Sequence, residues 1–431
     1  MHRKLNLAIA SVAIAVLATA CSSSGGKSGG DSSGASTPAS TGSSSTSAAT
    51  TGADIVIGNV SPLSGAQADS NGPFLDGVKA WVGYVNDNGG ISGHKIKLVT
   101  GDSKSDSTTE ASQIQQIVGN DHVVAFVGNG NINPPAWINF LEGKGVPVIG
   151  GNNASISYND SPMLFPEGSS VIGNALGLAA HNPGETKFGY LYCKEAPGCA
   201  ETNASLFKGG VAKLAGTDPV FSRAVSLSQP SYTAECLAAK QAGVQTLGLG
   251  ADPNTVIRIA NDCAKQGFKP TYVIPGVVAN DSLPSKLGST KLLAALPDFP
   301  WFSTDPATAS FRASMAKYVS GKAITESAAE GWVSGLIFQK AATTALASGG
   351  TLTSASLITA LGQIKNDTFG GLTPPLSFVA GAAQPSSYCF YPAEVVNGKW
   401  TTPGGLTVTC PSASNVSALD TITAAAVKAS K

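Results

Sequence analysis

The residues most able to ligate a metal, attack a substrate or move a proton are four histidines and seven cysteines. His2, His94, His122 and His181 stand far apart, which leaves too few imidazoles for a His-Glu-x-x-His helix or a two-histidine zinc cluster. The cysteines show no Cys-x-x-Cys spacing, so neither zinc nor dithiol redox chemistry is indicated. There is no Gly-x-Ser-x-Gly elbow and no Ser-x-x-Lys followed by the partner motifs of penicillin-binding enzymes, so an exported hydrolase lacks its nucleophile signature. What remains is chemistry of binding. Three glycine-bearing turns let backbone approach a ligand closely: Pro62-Leu63-Ser64-Gly65, Gly128-Asn129-Gly130-Asn131 and Gly248-Leu249-Gly250-Ala251-Asp252-Pro253. The last two lack the third glycine of a dinucleotide fingerprint. Asp252 before Pro253 reads either as a helix N-cap or as a ligand contact. No cofactor and no metal is expected.

The elements that must position these turns alternate. Short β-branched runs at Asp54 to Val60, Lys95 to Thr100, Val123 to Val127 and Val146 to Ile149 are separated by helical periodicity at Pro73 to Asp87, Thr108 to Val118 and Pro135 to Gly143. After a helix around Ser169 to His181 the alternation restarts, with strands at Lys187 to Tyr192, Val220 to Val225, Val244 to Leu249 and Thr271 to Ile274. Helices at Ala200 to Leu214, Thr233 to Gln241 and Asn254 to Gln266 lie between them. This is the pattern of βαβ units on parallel sheets, and two sheets are expected. Helices at Pro306 to Val319, Ala328 to Ala347 and Ser354 to Leu361 follow, then strands near Leu376 to Val379, Tyr388 to Val396 and Leu406 to Cys410, with Asn397-Gly398 as a hairpin turn. In such open sheets ligands sit beyond the carboxyl ends of the strands.

The front of the chain is different. Met1 to Lys4 is basic, Leu5 to Leu17 is apolar, and Ala18-Thr19-Ala20 precedes Cys21, which describes a secretory signal too short to span a bilayer. Small residues before Cys21 resemble a bacterial lipobox, although Ala18 stands where leucine is usual. The resemblance implies cleavage after residue 20 and acylation of Cys21, anchoring the chain to a lipid bilayer at the outer face of the cytoplasmic membrane or in the periplasm. Residues 21–52 are Ser, Gly, Thr and Ala-rich and read as a disordered leash with a reach on the order of 30 Å. In an exported chain the six cysteines beyond Cys21 favour disulfides. Proximity suggests Cys193 with Cys199, Cys236 with Cys263, and Cys389 with Cys410, a pairing that sequence alone does not fix.

The 431 residues imply two or three domains, and 42% hydrophobic residues suffice for real cores. Lys and Arg number 27 against 27 Asp and Glu, with no basic cluster, so no nucleic-acid partner is expected.

Several segments together resemble the periplasmic leucine/isoleucine/valine-binding proteins of ABC transporters: Ile57-Gly58-Asn59-Val60-Ser61-Pro62-Leu63-Ser64-Gly65, Asn88-Gly89-Gly90-Ile91-Ser92-Gly93-His94-Lys95-Ile96, Val124 to Gly128, Gly145-Val146-Pro147-Val148-Ile149, and Gly371-Leu372-Thr373-Pro374-Pro375-Leu376-Ser377-Phe378. The resemblance runs from about Asp54 to about Lys399. It implies a type I periplasmic binding protein fold, two doubly wound α/β lobes joined by three chain crossings and closing on a small ligand. Applied here, lobe one is 53–170 plus 301–375 and lobe two is 171–300 plus 376–431. The family's ligand loops then fall by position at Ser64, at Asn129, Gly130, Asn131 and Asn133, and at Asn152, Asn153, Ala154 and Ser155. The other lobe contributes the region of Tyr192 to Cys199, Asp252 and Gly276. Trp301, Phe299 and Tyr192 read either as an aromatic pocket wall or as packing. Gly276 cannot neutralise an ammonium where family members often carry an acid, so the ligand departs from an ordinary branched-chain amino acid unless Asp252 or Glu195 supplies the carboxylate. The implied function is reversible binding without turnover by a monomer that hands its ligand to ABC permease subunits. The alternatives are a sensor of the same fold and, against the motifs, an exported hydrolase.

Overall fold

The computed structural model describes residues 52–180, 184–347 and 349–431. The secretory signal, Cys21, the leash as far as Thr51, and His181 lie outside the described residues. Five parallel strands form the first sheet in the order β2-β1-β3-β4-β5: β1 Ile55–Ser61, β2 Ile96–Asp102, β3 Phe126–Asn129, β4 Val148–Gly151 and β5 Leu164–Phe165. The second sheet has the order β12-β11-β10-β9-β8-β6-β7. Its parallel strands are β6 Lys187–Cys193, β7 Asp218–Val225, β8 Thr246–Gly250, β9 Thr271–Pro275 and β10 Leu292–Leu296. An antiparallel hairpin, β11 Tyr391–Val396 and β12 Lys399–Thr401, closes that edge. Its two-residue turn is Asn397-Gly398, both at positive φ, as a tight hairpin of this hand requires.

Helices cover both faces of each sheet because the strands are buried on both sides and read as continuous apolar runs. Ile57, Val127 and Ile149 face helices Pro73–Asp87 and Glu326–Leu346; Val60, Phe126 and Val148 face Ser107–Asp121 and Ile138–Lys144. The first two helices cross at unusually short range. A Cβ on Gly331 would lie 2.1 Å from the Phe74 carbonyl oxygen, and one on Gly335 would enter the Trp81 ring. That intimacy lets Trp81 and Phe338 meet edge to face with centroids 5.8 Å apart. In the second sheet Val273 and Leu293 pack on helix Val171–Ala180, whereas Leu247 and Leu249 face Thr233–Gln241 and Pro253–Lys265.

The expected alternation is present, with differences of physical origin. The strand β10 is an Ala-Leu run without the β-branched residues that mark its neighbours, and β5 is two residues long, so neither announces itself in the sequence. Leu376 to Val379 and Leu406 to Cys410, expected as strands, make only isolated bridges, Leu376 with Asp367 and Thr409 with Phe390. A C-terminal helix, Ala413–Ser430, was not expected; Leu419 and Thr423 supply its small buried stripe. Among the described residues no helix is long and apolar enough to cross a membrane.

Three disulfides join Cys193 to Cys199, Cys236 to Cys263 and Cys389 to Cys410, the pairs suggested by proximity. Cys236–Cys263 spans 27 residues and staples helices Thr233–Gln241 and Pro253–Lys265, whereas Cys193–Cys199 spans 6. Loop-closure entropy then makes the longer bridge worth about 3.5 kcal/mol and the shorter about 2 kcal/mol. Replacing both Cys236 and Cys263 by Ala should therefore lower the calorimetric Tm by about 2 °C more than the same change at Cys193 and Cys199. Equal shifts would reject this ordering.

Candidate functional site

Loops from the carboxyl ends of both sheets converge on a cavity of about 100 Å³. From the first sheet come the loop after β3, with Asn131 and Ile132, and the loop after β4, Asn152 to Ser155; Asn71 and Glu330 join them from helical segments. From the second come Cys193 and Ala196 to Cys199 at and after the end of β6, Gly250 to Asp252 at the end of β8 and Pro275 to Val278 at the end of β9. Leu178, Tyr190, Leu227 and Pro297 make the wall largely apolar.

A chain of amides fixes the polar side. The Asn131 carbonyl accepts hydrogen bonds from Asn71 Nδ2 at 3.2 Å and Asn152 Nδ2 at 3.0 Å, and Asn152 Oδ1 accepts from Ala154 N at 3.1 Å. Asn131 Nδ2 donates at 2.6 Å to the hydroxyl of buried Tyr158, which itself donates to the Gly150 carbonyl at 3.0 Å. Because that hydroxyl proton is committed to Gly150, Tyr158 can only accept from Asn131, and the amide orientation is thereby set. Asn131 Oδ1 is left without a partner on the cavity wall, as is Asn153 Nδ2. Beneath the loop, Glu110 of helix Ser107–Asp121 accepts from Ile132 N at 3.1 Å and Asn133 N at 3.0 Å. Burial pushes its carboxyl up to about 7 against those two donors.

The sequence-derived candidates divide. Asn131, Asn152, Asn153, Ala154, Ser155, Asp252 and Gly276 stand on the cavity wall. Ser64 does not: it is exposed and donates to Asp102 Oδ2 at 2.8 Å. Asn129 is fully buried in the sheet, where its Oδ1 accepts from Val60 N, and Gly130 donates to Ser61 Oγ, so both shape the loop from behind. Asn133 offers its backbone to Glu110. Tyr192 stacks on Tyr190, and it is Tyr190 that reaches the cavity. Trp301 donates to Asp281 Oδ1 at 2.6 Å and packs against Phe302 and Trp400, and neither it nor Phe299 borders the cavity. Asp252 is an N-cap, accepting from Asn254 N and Thr255 N, while its side face borders the cavity. Glu195 is committed to Ser226, Leu227 and Lys194 and lies off the cavity.

Sequence reasoning missed the acids at the chain crossings. Glu167 follows β5, Asp298 follows β10, and Glu326 and Glu330 lie one turn apart on helix Glu326–Leu346. All four are at most 2% exposed, and none forms an ion pair with a Lys, Arg or His among the described residues. Desolvation pushes Glu167 up to about 8 and the other three well above the carboxylate range, and their mutual repulsion adds to the rise in Asp298 and Glu330. Both oxygens of Glu167 and Oε1 of Glu330 have no hydrogen-bond partner among the described residues, so nothing there offsets the burial of this pair. The available signal was two acids at i and i+4 inside a run of Ala, Gly, Trp and Val that must be buried. Among the described residues no group of three or more His, Cys, Asp or Glu side chains is disposed to hold a metal ion.

These protons have a consequence for stability. An unfolded chain releases its carboxyl protons near pH 4.5. The folded protein keeps those of Glu110, Glu167 and their neighbours to higher pH, so it binds more protons than the unfolded chain across the interval and stability falls as pH rises. The loss approaches about 1.4 kcal/mol per pH unit for each retained proton. Tm should decline from pH 5 to pH 8, and Glu167→Gln should flatten the decline; calorimetry showing a flat or rising wild-type profile would refute this.

Comparison with known proteins accords with this geometry. The periplasmic binding protein family model matches residues 54–399. The Leu/Ile/Val-binding protein homolog 2 of Brucella abortus (strain 2308) is 27% identical over 240 residues, covering 53% of this chain and 62% of that protein. The chain therefore aligns with somewhat less than two thirds of that relative's length. Among solved structures, an ABC transporter substrate binding protein from Aeropyrum pernix superposes with a TM-score of 0.73 at 16% identity, covering 86% of this chain and 99% of the other. A branched chain amino acid ABC transporter protein from Thermus thermophilus, with bound valine, superposes with a TM-score of 0.71 at 14% identity, covering 84% and 97%. With the family model spanning most of the chain and strand-end loops of both sheets meeting at one cavity, this chain belongs to the periplasmic binding protein family.

Proposed function

We propose that this protein is a lipid-anchored, extracytoplasmic receptor of an ABC importer, which grips a small ligand between its two sheet-and-helix halves and releases it unchanged to permease subunits. The observation that carries the reading is the cavity itself. Its walls come from the carboxyl ends of both sheets, and it pairs apolar surface with a few fixed polar atoms that have no partner in the protein. The ligand loops are those named above, Asn131, Asn152 to Ser155, Asp252 and Gly276, with Tyr190 and Glu330 added. The halves follow the crossings near 170, 300 and 375, and the signal and Cys21 supply the anchor. Ligands of related proteins include valine, and a small amino-bearing or carboxyl-bearing molecule suits the space.

Binding by closure is supported by bonds between the halves. Asn254 Nδ2 donates to Asp69 Oδ2 at 2.6 Å, Ile156 N donates to Glu201 Oε2 at 2.6 Å, and Gly198 lies so near Ala154 that a Cβ would stand 2.1 Å from its carbonyl oxygen. Such contacts bias a two-state hinge towards the form in which ligand is enclosed.

The direct test is a thermal-shift screen of small amines, amino acids, amides and carboxylates, since a ligand selective for the folded state raises Tm by mass action. Given a hit, Asp69→Ala, outside the cavity, should weaken it about fivefold through loss of one exposed hydrogen bond to the closed form. Unchanged affinity by calorimetry would argue against closure at this contact. Cys21→Ala should move the protein from the membrane fraction to the soluble fraction; undiminished retention would reject the anchor.

A further inference from the structure

We infer that Glu330 is the anionic partner of an ammonium group on the ligand, so that the cavity selects small organic molecules carrying a primary amine and rejects those whose only charge is a carboxylate. This deepens the receptor reading above and rests on it. The cavity wall carries no Lys, Arg or His. Its acids are Glu330 and Asp252, and Asp252 already serves three partners at the start of helix Pro253–Lys265. Glu330 does not: its Oε1 has no hydrogen-bond partner, and the residue is 2% exposed. A second observation points the same way. Asn131, also 2% exposed, has its amide nitrogen held by Tyr158 and so leaves an acceptor, Oδ1, unpartnered on the same wall. A carboxyl and an amide oxygen lacking donors are what an ammonium would satisfy. Asn153 Nδ2, an unpartnered donor, is left for an acceptor elsewhere on the ligand. The apolar body of the ligand would rest against Leu178, Leu227 and Tyr190.

The surroundings of Glu330 make the requirement sharper. The ionisable groups near it are Glu167 after β5, Asp298 after β10, Glu326 one turn back on its own helix, and the Tyr158 hydroxyl. None is basic. A ligand carboxylate brought beside Glu330 would place a charge in a desolvated volume where the protein's own acids keep their protons, with no cation to offset it. An ammonium reverses that balance. As it enters, the proton that burial keeps on the Glu330 carboxyl leaves to solvent, and the Glu330 carboxylate pairs with the incoming charge. The departing proton and the arriving cation keep the local charge constant.

The experiment uses the full-length protein and two matched sets: isoamylamine, L-leucine and isovalerate, and benzylamine, L-phenylalanine and benzoate. Tm shifts and calorimetric affinities are expected for amine-bearing members and not for isovalerate or benzoate. Glu330→Gln, which keeps the shape and removes the charge, should fold with an unaltered circular dichroism spectrum and lose at least about 30-fold in amine affinity. Calorimetry of the wild type in two buffers of different ionisation enthalpy at pH 7 should show net proton release on amine binding. Binding confined to the carboxylates, or amine binding indifferent to Glu330→Gln and without proton release, would overturn the inference and leave the receptor reading standing. Silence of both sets would count against both.

Discussion

Four carboxyl groups occupy one desolvated region without a base among them, and the architecture around the cavity is organised by how that is tolerated. Glu167 and Asp298 lie in the first two segments that pass between the halves, while Glu326 and Glu330 project from a helix packed on the first sheet. The segments touch directly, since Ser169 N donates to the Pro297 carbonyl and Phe299 N to that of Leu372 in the third passage. The carboxyls therefore sit where the chain passes between the two sheets. Buried acids without partners are unstable as anions, so the folded protein retains protons there, at a cost in stability as pH rises towards neutrality.

The stiffness needed to maintain this comes from ordinary packing. Gly331 and Gly335 let helix Glu326–Leu346 lie against Pro73–Asp87 closely enough that Trp81, Phe74 and Phe338 fill the space between them. Fully burying each such ring is worth roughly 1.5–3 kcal/mol. Glu330 thus projects from a helix whose position is fixed by apolar contacts one turn further on, and its placement at the cavity is precise because Trp332 and Val333 are locked. The loop Asn131 to Asn133 is held in the same way from the other side, by Glu110 and Tyr158 acting on backbone and amide atoms.

Much of this architecture was legible in the sequence because the signals were local. Asn397-Gly398 specifies its hairpin, Asp252-Pro253 its helix start, and the alternation of apolar runs with amphipathic stretches gives the two sheets. The turns after β3, β4, β8 and β9 could be placed at a site because strand ends in such sheets all face one way. What was not legible depends on register and on distant partners. Tyr190 and Tyr192 share one face of β6, as alternation requires of residues two apart, and position along the strand decides between them: Tyr190 lines the cavity and Tyr192 stacks on it without reaching the wall. Asn129 and Asn131 are two residues apart and of one type, yet Asn129 ends β3 with its Oδ1 held by Val60 N and Asn131 lines the cavity. Trp301 is an extreme case, drawn away from the cavity by a carboxylate, Asp281, twenty residues earlier.

Glu330 lies where no strand-end turn in the sequence points to an acid. The counter-charge was sought in the loop after β9, where Gly276 stands, and on Asp252 or Glu195, all in the second half. Gly276 is held bare by its neighbours: a Cβ there would lie 2.5 Å from Pro297 Cδ and 3.1 Å from Glu326 Cγ. Any acidic side chain at 276 would drive into the segment that carries Asp298, adding a charge to the region least able to accept one. Glycine at 276 and an acid at 330 are therefore two expressions of one steric and electrostatic arrangement. With the carboxylate on the first half, an amine docks first against the loops of that half, and the second half contributes mainly apolar surface as it closes. A ligand held by its charge on one half and by its body on the other would couple affinity to closure.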